Sequence, residues 1–162
     1  MNLNKLMILK KYTLPLMDEL SDIVARAKGF TKLDLKARYH LIRMRKGHEY
    51  KTSFCTRYGQ YKYKVMLFRL VNTPATFQTK LNKILRESLD HAVVIYLDDI
   101  LIYSINMEDH IKLVQQVLDR LEQHDLAVSL KKSVFHLEEV ELLEYIVKTS
   151  GVTMSDRKVK AI

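Results

Sequence analysis

Two adjacent aspartates, Asp98 and Asp99, are the residues whose types and placement most directly suggest chemistry. They interrupt the apolar run V-V-I-Y-L-D-D-I-L-I-Y, which covers residues 93–103. Strand-forming residues on both sides of an acidic pair predict a β-hairpin with the two carboxylates at its tip. Neighbouring carboxylates repel each other, and a divalent cation, which prefers carboxylate oxygen, would relieve that repulsion. The pattern therefore suggests a cation site of the kind that binds phosphates in nucleotidyl transfer.

A third acid, Asp34, could join this pair. It lies in the short apolar segment F-T-K-L-D-L and is the only acid between Asp22 and Glu49. If its strand lies beside the hairpin, Asp34 and Asp98 converge at one edge of the sheet and could bridge two Mg²⁺ ions about 3.5–4 Å apart. The residues alone leave an alternative, in which Asp34 caps a turn and the acidic pair is a solvated turn.

The elements that would position these acids are short strands interrupted by long helices. Helical periodicity covers 15–28, 76–89 and 110–122, with Asn72 and Pro74 as start signals for the second helix and Ser155 as the cap of a final turn. Strand patterns cover 30–35, 51–57, 60–68, 93–103, 126–128 and 140–147. This order predicts an α+β fold, a mostly antiparallel sheet with helices on one face and the other face left for a ligand.

Length and composition limit the class of protein. The 162 residues suggest one domain with a core of its own. No apolar run approaches the roughly 20 residues that cross a bilayer, and the basic N-terminus does not resemble a signal peptide. The single cysteine, Cys55, excludes an internal disulfide. We therefore expect an intracellular protein of the cytoplasm or nucleus, neither secreted nor transmembrane.

The positive charge is concentrated in one part of the chain. The net charge is +8, but residues 26–69 hold thirteen Lys or Arg against two acids. Tyrosines are interleaved with these bases. A basic surface that carries aromatic rings can neutralise phosphates and stack on bases, which suggests a nucleic-acid partner. The alternative is a well-solvated basic face of a sheet. The interleaved tyrosines are Tyr39, Tyr50, Tyr58, Tyr61 and Tyr63.

Six segments carry a resemblance to a known family. They are L-N-K…Y-T-L-P-L (3–16), F-T-K-L-D-L…Y-H-L-I-R (30–43), Y-K-T-S-F-C-T-R-Y-G (50–59), N-T-P-A-T-F-Q (72–78), V-V-I-Y-L-D-D-I-L-I-Y-S (93–104) and L-K-K-S-V-F (130–135). In order and spacing they resemble the palm region of reverse transcriptases from gypsy-type LTR retrotransposons. The resemblance implies a polymerase palm with a ferredoxin-like core and a remnant of the fingers. It also implies an RNA-directed DNA polymerase, a nucleotidyltransferase that extends a primer 3′ end with deoxynucleoside triphosphates on an RNA or DNA template.

The same resemblance implies a catalytic centre and its cofactor. Asp34 and Asp98 would be ligands of two Mg²⁺ ions, with Mn²⁺ as a possible substitute. Asp99 would be the second acid of the pair, a catalytic and metal-binding residue closer to the primer end.

Other matching positions would bind the nucleotide. Tyr39 would lie beneath the incoming sugar, and Phe68 would line the nucleotide pocket. Gln78 would support the pocket or template, and Lys131 or Lys132 would protonate pyrophosphate. The alternatives are ordinary sheet packing for Tyr39 and Phe68, and a solvated loop for the lysines.

Some positions depart from the family pattern. Leu67 and Arg69 stand where the family has Pro and Gly, Arg38 lies beside the expected sugar site, and Glu144 replaces a Gly near the primer strand. Glycine is used where backbone approaches a ligand closely or takes a positive φ, so Arg69 is expected to crowd the pocket.

These departures leave two functions open. One is a reverse transcriptase domain over residues 1–162, with partial fingers and palm but without a complete thumb, RNase H or integrase. Its activity as an isolated chain would be reduced or absent, so whether the chain is an enzyme stays open. The other is a catalytically inactive nucleic-acid-binding or structural domain of transposon origin. Either could be a genomic remnant or a segment of a longer polyprotein.

Overall fold

The structure is a computed structural model, and it describes residues 3–10, 27–36, 38–86, 92–97, 99–142, 145–148 and 151–154. The helix predicted over 15–28 lies outside these residues except for Ala27 and Lys28, which are not helical. The predicted cap at Ser155 also lies outside them. None of the helices in the described ranges is both long and apolar enough to cross a lipid bilayer.

Short strands and two longer helices make up the described fold. The helices are α1 (Thr73–Ile84) and α2 (Met107–Gln123), with short 3₁₀ helices at Leu3–Leu6, Arg38–Leu41 and Glu49–Thr52. The strands are β1 (Gly29–Asp34), β2 (Phe54–Thr56), β3 (Gly59–Tyr61), β4 (Val93–Tyr96), β5 (Asp99–Ser104), β6 (Val134–Leu137), β7 (Glu139–Leu142), β8 (Tyr145–Lys148) and β9 (Gly151–Met154).

A four-stranded sheet in the order β4-β5-β1-β6 forms the centre of the fold, and its neighbouring strands are all antiparallel. The strands β7, β8 and β9 form a second antiparallel sheet, and β2 and β3 form a hairpin. The predicted α+β fold with a mostly antiparallel sheet is therefore confirmed.

Successive side chains along β1 point to opposite faces of the central sheet, and each face is covered by different elements. Leu33 and Leu35 point to the face covered by α1 and α2, where they join a large apolar cluster with residues of both helices. Phe30 points to the opposite face and packs in a second cluster with Val140 and Val147 of the β7–β8 hairpin. The prediction that this second face is left free for a ligand is thus wrong for that part of the sheet.

Helix α1 begins near the predicted position but differs in its cap and its end. Pro74 lies in its first turn, as predicted, but the Asn72 side chain makes no capping hydrogen bond. Instead, Asn72 Oδ1 accepts from the Lys10 amide at 2.9 Å, and its Nδ2 donates to the Ile8 carbonyl at 2.7 Å. The N-terminal segment therefore competes for this side chain. The helix ends at Ile84, before the predicted end near residue 89.

Several predicted strands are shorter, and two were missed. The segment 51–57 begins as a 3₁₀ helix because Thr52 Oγ1 donates to the Glu49 carbonyl at 2.7 Å and accepts from the Tyr63 amide at 3.0 Å. The strand predicted over 126–128 is only a bridge between Val128 and Leu35. The run 140–147 is divided between β7 and β8, and neither β6 nor β9 was predicted.

Helix α2 carries a buried histidine against β1. The helix is capped by Asn106, whose Oδ1 accepts from the Glu108 amide at 3.0 Å. His110 is fully buried, with its Nε2 2.8 Å from the Thr31 hydroxyl and its ring 5.3 Å from the ring of His136. Among the described residues, its Nδ1 has no hydrogen-bond partner. Burial, and secondarily repulsion by His136, lower the pKa of His110 below its ordinary value of 6.5.

This buried imidazole predicts a fold that weakens in mild acid. Above about pH 6.5 His110 is neutral in both the folded and the unfolded chain, so it contributes no pH dependence. As the pH falls below 6.5, the unfolded chain binds a proton that the folded chain excludes. The free energy of unfolding should then fall by at most about 1.4 kcal/mol per pH unit until the lower folded pKa is reached.

Urea denaturation at pH 7.5 and 5.5 measures this effect. His110→Gln, which keeps a polar partner for Thr31 but does not titrate, should lose this part of the pH dependence. His40→Gln, at an exposed site, is the control and should keep the pH dependence of the parent chain. An unchanged pH dependence in His110→Gln would contradict the assignment.

Candidate active site

Asp34 and Asp99 are direct partners across the antiparallel strands β1 and β5. Such partners project from the same face, with Cβ atoms about 4.5–5.5 Å apart, and two like charges in this position destabilise a sheet. Asp34 is buried, with 7% of its surface exposed, and the Asp99 side chain is 22% exposed. Two largely enclosed carboxylates that face each other provide hard oxygen ligands of the type that Mg²⁺ and Mn²⁺ bind.

The third predicted carboxylate, Asp98, lies outside the described residues, so its convergence with Asp34 stays a prediction. In the part of the chain that the structure describes, no group of three or more His, Cys, Asp or Glu side chains could hold a metal ion. The described site thus contributes two of the three predicted ligands. Their oxygen chemistry and mutual repulsion fit a divalent cation.

The turn that carries the acidic pair is tight and strained. Tyr96 pairs with Asp99, so only residues 97 and 98 connect β4 and β5. Two-residue hairpin turns of the primed types require a positive φ at their first position. Leu97 has a φ of 54°, a conformation that costs a residue with a Cβ atom roughly 1–2 kcal/mol. Strain of this kind is concentrated at functional sites, which favours a functional role for this turn.

A turn from Ser129 to Ser133 holds the end of β1 by main-chain contacts. The Asp34 amide donates to Ser133 Oγ at 3.0 Å, and the Ser129 amide donates to the Asp34 carbonyl at 2.7 Å. Ser133 Oγ in turn donates to the Ser129 carbonyl at 2.9 Å. Lys131 and Lys132 are exposed within this turn. The turn therefore carries both predicted lysines beside the end of the central sheet where Asp34 and Asp99 face each other, here called the carboxylate edge. Ser133 was not singled out from the sequence, although it belongs to the segment L-K-K-S-V-F.

Lys32 lies on the same face of β1 as Asp34 and was not predicted as a site residue. Its ammonium group is 3.6 Å from Asp99 Oδ2 and donates a hydrogen bond of 2.9 Å to the Glu141 carbonyl in β7. The sequence places Lys32 two residues before Asp34, a spacing that puts both on one face of a strand. That alternation was the available signal.

Gln78 is buried behind the sheet and does not lie at the carboxylate edge. Its Nε2 donates to the Ile95 carbonyl of β4 at 2.9 Å and to Asn82 Oδ1 at 3.0 Å. Since β4 is an edge strand of the central sheet, this amide satisfies a carbonyl one residue before Tyr96. The contact supports the strand that leads into the strained turn.

The predicted nucleotide residue Phe68 lies in an exposed turn over 67–70, with 69% of its surface exposed. Asn4 fastens this turn to the N-terminal segment, because its Nδ2 donates to the Arg69 carbonyl at 2.9 Å and its Oδ1 accepts from the Val71 amide at 3.2 Å. Arg69 does not have a positive φ, so this residue causes no backbone strain where the family has glycine. Its side chain is exposed and does not intrude into the core.

The structure does not describe two other singled-out side chains. Tyr39 lies in the 3₁₀ helix Arg38–Leu41, which follows β1 closely, but its side chain lies outside the described part. Glu144 lies outside the described residues altogether. The expectations for both positions stay predictions.

The hairpin β2–β3 and the residues next to it present aromatic rings together with basic side chains. Phe54 pairs with Tyr61 across the strands, and its ring centre lies 6.0 Å from that of Tyr61 and 5.1 Å from that of Tyr63. All three rings are exposed. The Arg57 guanidinium lies 4.5 Å from the ring centre of Tyr58. Beside the hairpin is an open groove of about 390 Å³ whose described lining has no acid. Its lining residues are Asn4, Lys51, Thr52, Ser53, Phe54, Tyr63, Leu67, Arg69 and Leu70.

Two transposon polyproteins match nearly the whole chain. The Transposon Tf2-3 polyprotein of Schizosaccharomyces pombe is 40% identical over 151 residues, which are 93% of this chain and 11% of that protein. The retrovirus-related Pol polyprotein from transposon 297 of Drosophila melanogaster is 38% identical over 160 residues, which are 99% of this chain and 15% of that protein. The chain thus spans only a small part of these relatives.

Solved structures share the fold. The foamy viral protease-reverse transcriptase in complex with an RNA/DNA hybrid superposes with a TM-score of 0.84 at 22% identity, over 98% of this chain and 21% of that one. A form of the same protein in complex with double-stranded DNA gives a TM-score of 0.86 at 22% identity, over 98% of this chain and 28% of that one. This likeness confirms the predicted palm-like fold.

A family model described as "Reverse transcriptase (RNA-dependent DNA polymerase)" matches residues 2–159 of this chain. Together with the two transposon polyproteins, this match confirms the predicted resemblance to the reverse transcriptase region of retrotransposon polyproteins. The chain belongs to the reverse transcriptase family.

Proposed function

We propose that this reverse transcriptase domain is the palm, with part of the fingers, of an RNA-directed DNA polymerase that works with two Mg²⁺ ions. It would add deoxynucleotides to a primer 3′ end, and Mn²⁺ could replace Mg²⁺. The observation that carries the proposal is the direct opposition of Asp34 and Asp99 across the antiparallel strands β1 and β5. Opposed carboxylates repel each other across a sheet, and a divalent cation beside them, in addition to the Lys32 ammonium group 3.6 Å from Asp99 Oδ2, would stabilise the pair.

Three aspartates would hold the cations: Asp34 and Asp99, and Asp98 from the strained turn. When bound, divalent cations stabilise the charge on phosphate oxygens and lower the pKa of an attacking hydroxyl. The protein contributes by fixing the carboxylates before the reaction. The main-chain hydrogen bonds of Asp34 to the turn 129–133 keep the end of β1 in place, which favours preorganised charge stabilisation.

The remaining predicted residues have supporting roles in this proposal. Lys132, or its neighbour Lys131, would donate a proton to the leaving pyrophosphate, since the turn that carries them is bonded to the main chain of Asp34. Tyr39 and Phe68 would contact the incoming nucleotide. Gln78 would act indirectly, by fixing the Ile95 carbonyl of the strand that leads into the catalytic turn.

A primer–template duplex is the proposed partner, with deoxynucleoside triphosphates as substrates. The basic and aromatic hairpin β2–β3 supports it, because exposed rings can stack on bases while Lys and Arg neutralise phosphates. The structural relatives in complex with an RNA/DNA hybrid and with double-stranded DNA give further support.

A second candidate is a nucleic-acid-binding domain with little or no catalysis. The exposed Arg69 favours it, because a positively charged side chain in the turn 67–70, where the family has Gly, would strengthen binding to nucleic-acid phosphates. In that case the hairpin and its neighbouring groove would carry the function. Residues 1–162 would still form one domain.

Primer extension tests the proposal directly. The full chain is incubated with primer–template and deoxynucleoside triphosphates in Mg²⁺ or Mn²⁺, and Asp98→Asn is the matched variant. Extension by the parent chain that disappears in Asp98→Asn supports catalysis. Binding that weakens steeply with salt, without any extension, supports the second candidate. If folded protein neither binds nor extends, both proposals are wrong.

A further inference from the structure

Lys32 connects the carboxylate edge to the neighbouring sheet through a single side chain. Its ammonium group lies 3.6 Å from Asp99 Oδ2 on one strand and 2.9 Å from the Glu141 carbonyl on another. Asp99 belongs to β5 and Glu141 to β7, which is 42 residues later in the chain. The three residues therefore join the central sheet and the β7–β8 hairpin at the point where Asp34 and Asp99 face each other.

The Lys32–Asp99 pair is more enclosed than the pairs Lys112–Asp109 and Lys148–Glu139. The side chains of Lys32 and Asp99 are each 22% exposed, whereas Lys112 and Asp109 on α2 are 75% and 70% exposed. Exposed pairs of the second kind contribute little because water and salt screen them. Partial burial strengthens the interaction between Lys32 and the carboxylate. The hydrogen bond to the Glu141 main chain also fixes the ammonium group in position.

We propose that Lys32 is a positioning residue that orients the Asp99 carboxylate and fixes β7 beside it, and that its charge opposes cation binding at this edge. The proposal rests on the proposed two-metal function. In the cation-free chain, the ammonium group offsets part of the repulsion between Asp34 and Asp99. A divalent cation that binds there must be held close to this positive charge, so Lys32 weakens metal binding while it orders a ligand.

Two opposite effects of removing the charge follow from this arrangement. Lys32→Met, which keeps the length and apolar stem of the side chain, should tighten Mn²⁺ binding roughly 10-fold because a nearby positive charge is lost. At saturating Mn²⁺, the same variant should extend primers about 10-fold more slowly because Asp99 and β7 are no longer held. Lys32→Arg keeps the charge and the donors, so its Mn²⁺ affinity should stay within about 2-fold of the parent value.

Mn²⁺ titration of the full chain, followed by the electron paramagnetic resonance signal of free Mn²⁺, measures affinity without requiring activity. Lys112→Met is the matched control, because the ion pair of Lys112 with Asp109 is exposed to solvent. The Mn²⁺ affinity of this variant should equal that of the parent chain. Lys32→Gln is a second charge-free variant, should Lys32→Met fail to fold, and it should also tighten Mn²⁺ binding.

The outcomes separate this proposal from the function on which it rests. If the parent chain binds Mn²⁺ but Lys32→Met and Lys32→Gln bind it with the parent affinity, the role of Lys32 is wrong and the two-metal function stands. If the parent chain does not bind Mn²⁺ at all, both are wrong. A purely structural Lys32 would lower the melting temperature in both charge-free variants and leave the Mn²⁺ affinity unchanged.

Discussion

Replacing Asp34 by asparagine is expected to lower the rate of primer extension at least about 100-fold while the chain stays folded. Residues that only support a metal ligand already cost 10–100-fold when they are changed, and Asp34 is proposed as a ligand itself. The substitution keeps the shape of the side chain and the main-chain hydrogen bonds to Ser129 and Ser133. The loss should therefore come from the charge and not from unfolding.

Thermal or urea denaturation with and without Mn²⁺ gives a readout of Asp34→Asn that does not depend on activity. At 100 times its dissociation constant, Mn²⁺ should stabilise the parent chain by about 2.7 kcal/mol. In Asp34→Asn the same concentration should add far less, because the cation loses a carboxylate. Asp109→Asn, exposed on α2, is the control and should respond to Mn²⁺ as the parent does. Equal stabilisation of Asp34→Asn and the parent chain would exclude Asp34 as a ligand.

The pairing of the two acidic strands was predictable, whereas its register was not. Runs of apolar, strand-forming residues marked both strands, and the resemblance to the reverse transcriptase palm indicated that they are neighbours. The sequence argument placed Asp98 near Asp34, which stays a prediction, and the register of β1 and β5 shows in addition that Asp99 lies directly opposite Asp34. A slip of one residue moves a strand's side chains to the other face, and single-residue register depends on the turn between the strands. Here that turn contains the strained Leu97.

Contacts between distant segments were the main feature that the sequence could not supply. Lys32 looked like one more base in a basic stretch, yet its partners lie on β5 and β7. His110 looked like part of an amphipathic helix, yet it is buried against Thr31. Both depend on how the helix and sheets pack, which no local pattern encodes.

Element ends were predicted less well than the elements themselves. Helix α1 was recognised by its apolar spacing, but its cap residue Asn72 is bonded instead to the main chain of Ile8 and Lys10. A side chain that can cap a helix can equally bind any nearby main-chain group, and the segment that reaches it decides. The same kind of competition at Thr52 converts the start of a predicted strand into a 3₁₀ helix.

The core beneath the strained turn between β4 and β5 provides the largest expected change in stability. Phe77 of α1 is fully buried and belongs to the same apolar cluster as Leu33 of β1 and Ile95 of β4. Phe77→Ala should lower the free energy of unfolding by about 3–5 kcal/mol, because it removes buried contacts and leaves a cavity. Since small domains are stable by only about 5–15 kcal/mol, this is a large part of the total. Urea denaturation measures the difference.

Comparison with an exposed site tests whether Phe77 acts through the core. Ile111→Ala on α2, a site that is 56% exposed, should change the free energy of unfolding by less than about 0.5 kcal/mol. Phe77 lies behind the sheet and Asp34 faces the opposite side, so folded Phe77→Ala should bind Mn²⁺ with the parent affinity. A loss below 1 kcal/mol would show that this helix does not pack against the sheet in solution. Weakened Mn²⁺ binding in the folded variant would instead show that the cluster sets the register of the two acidic strands.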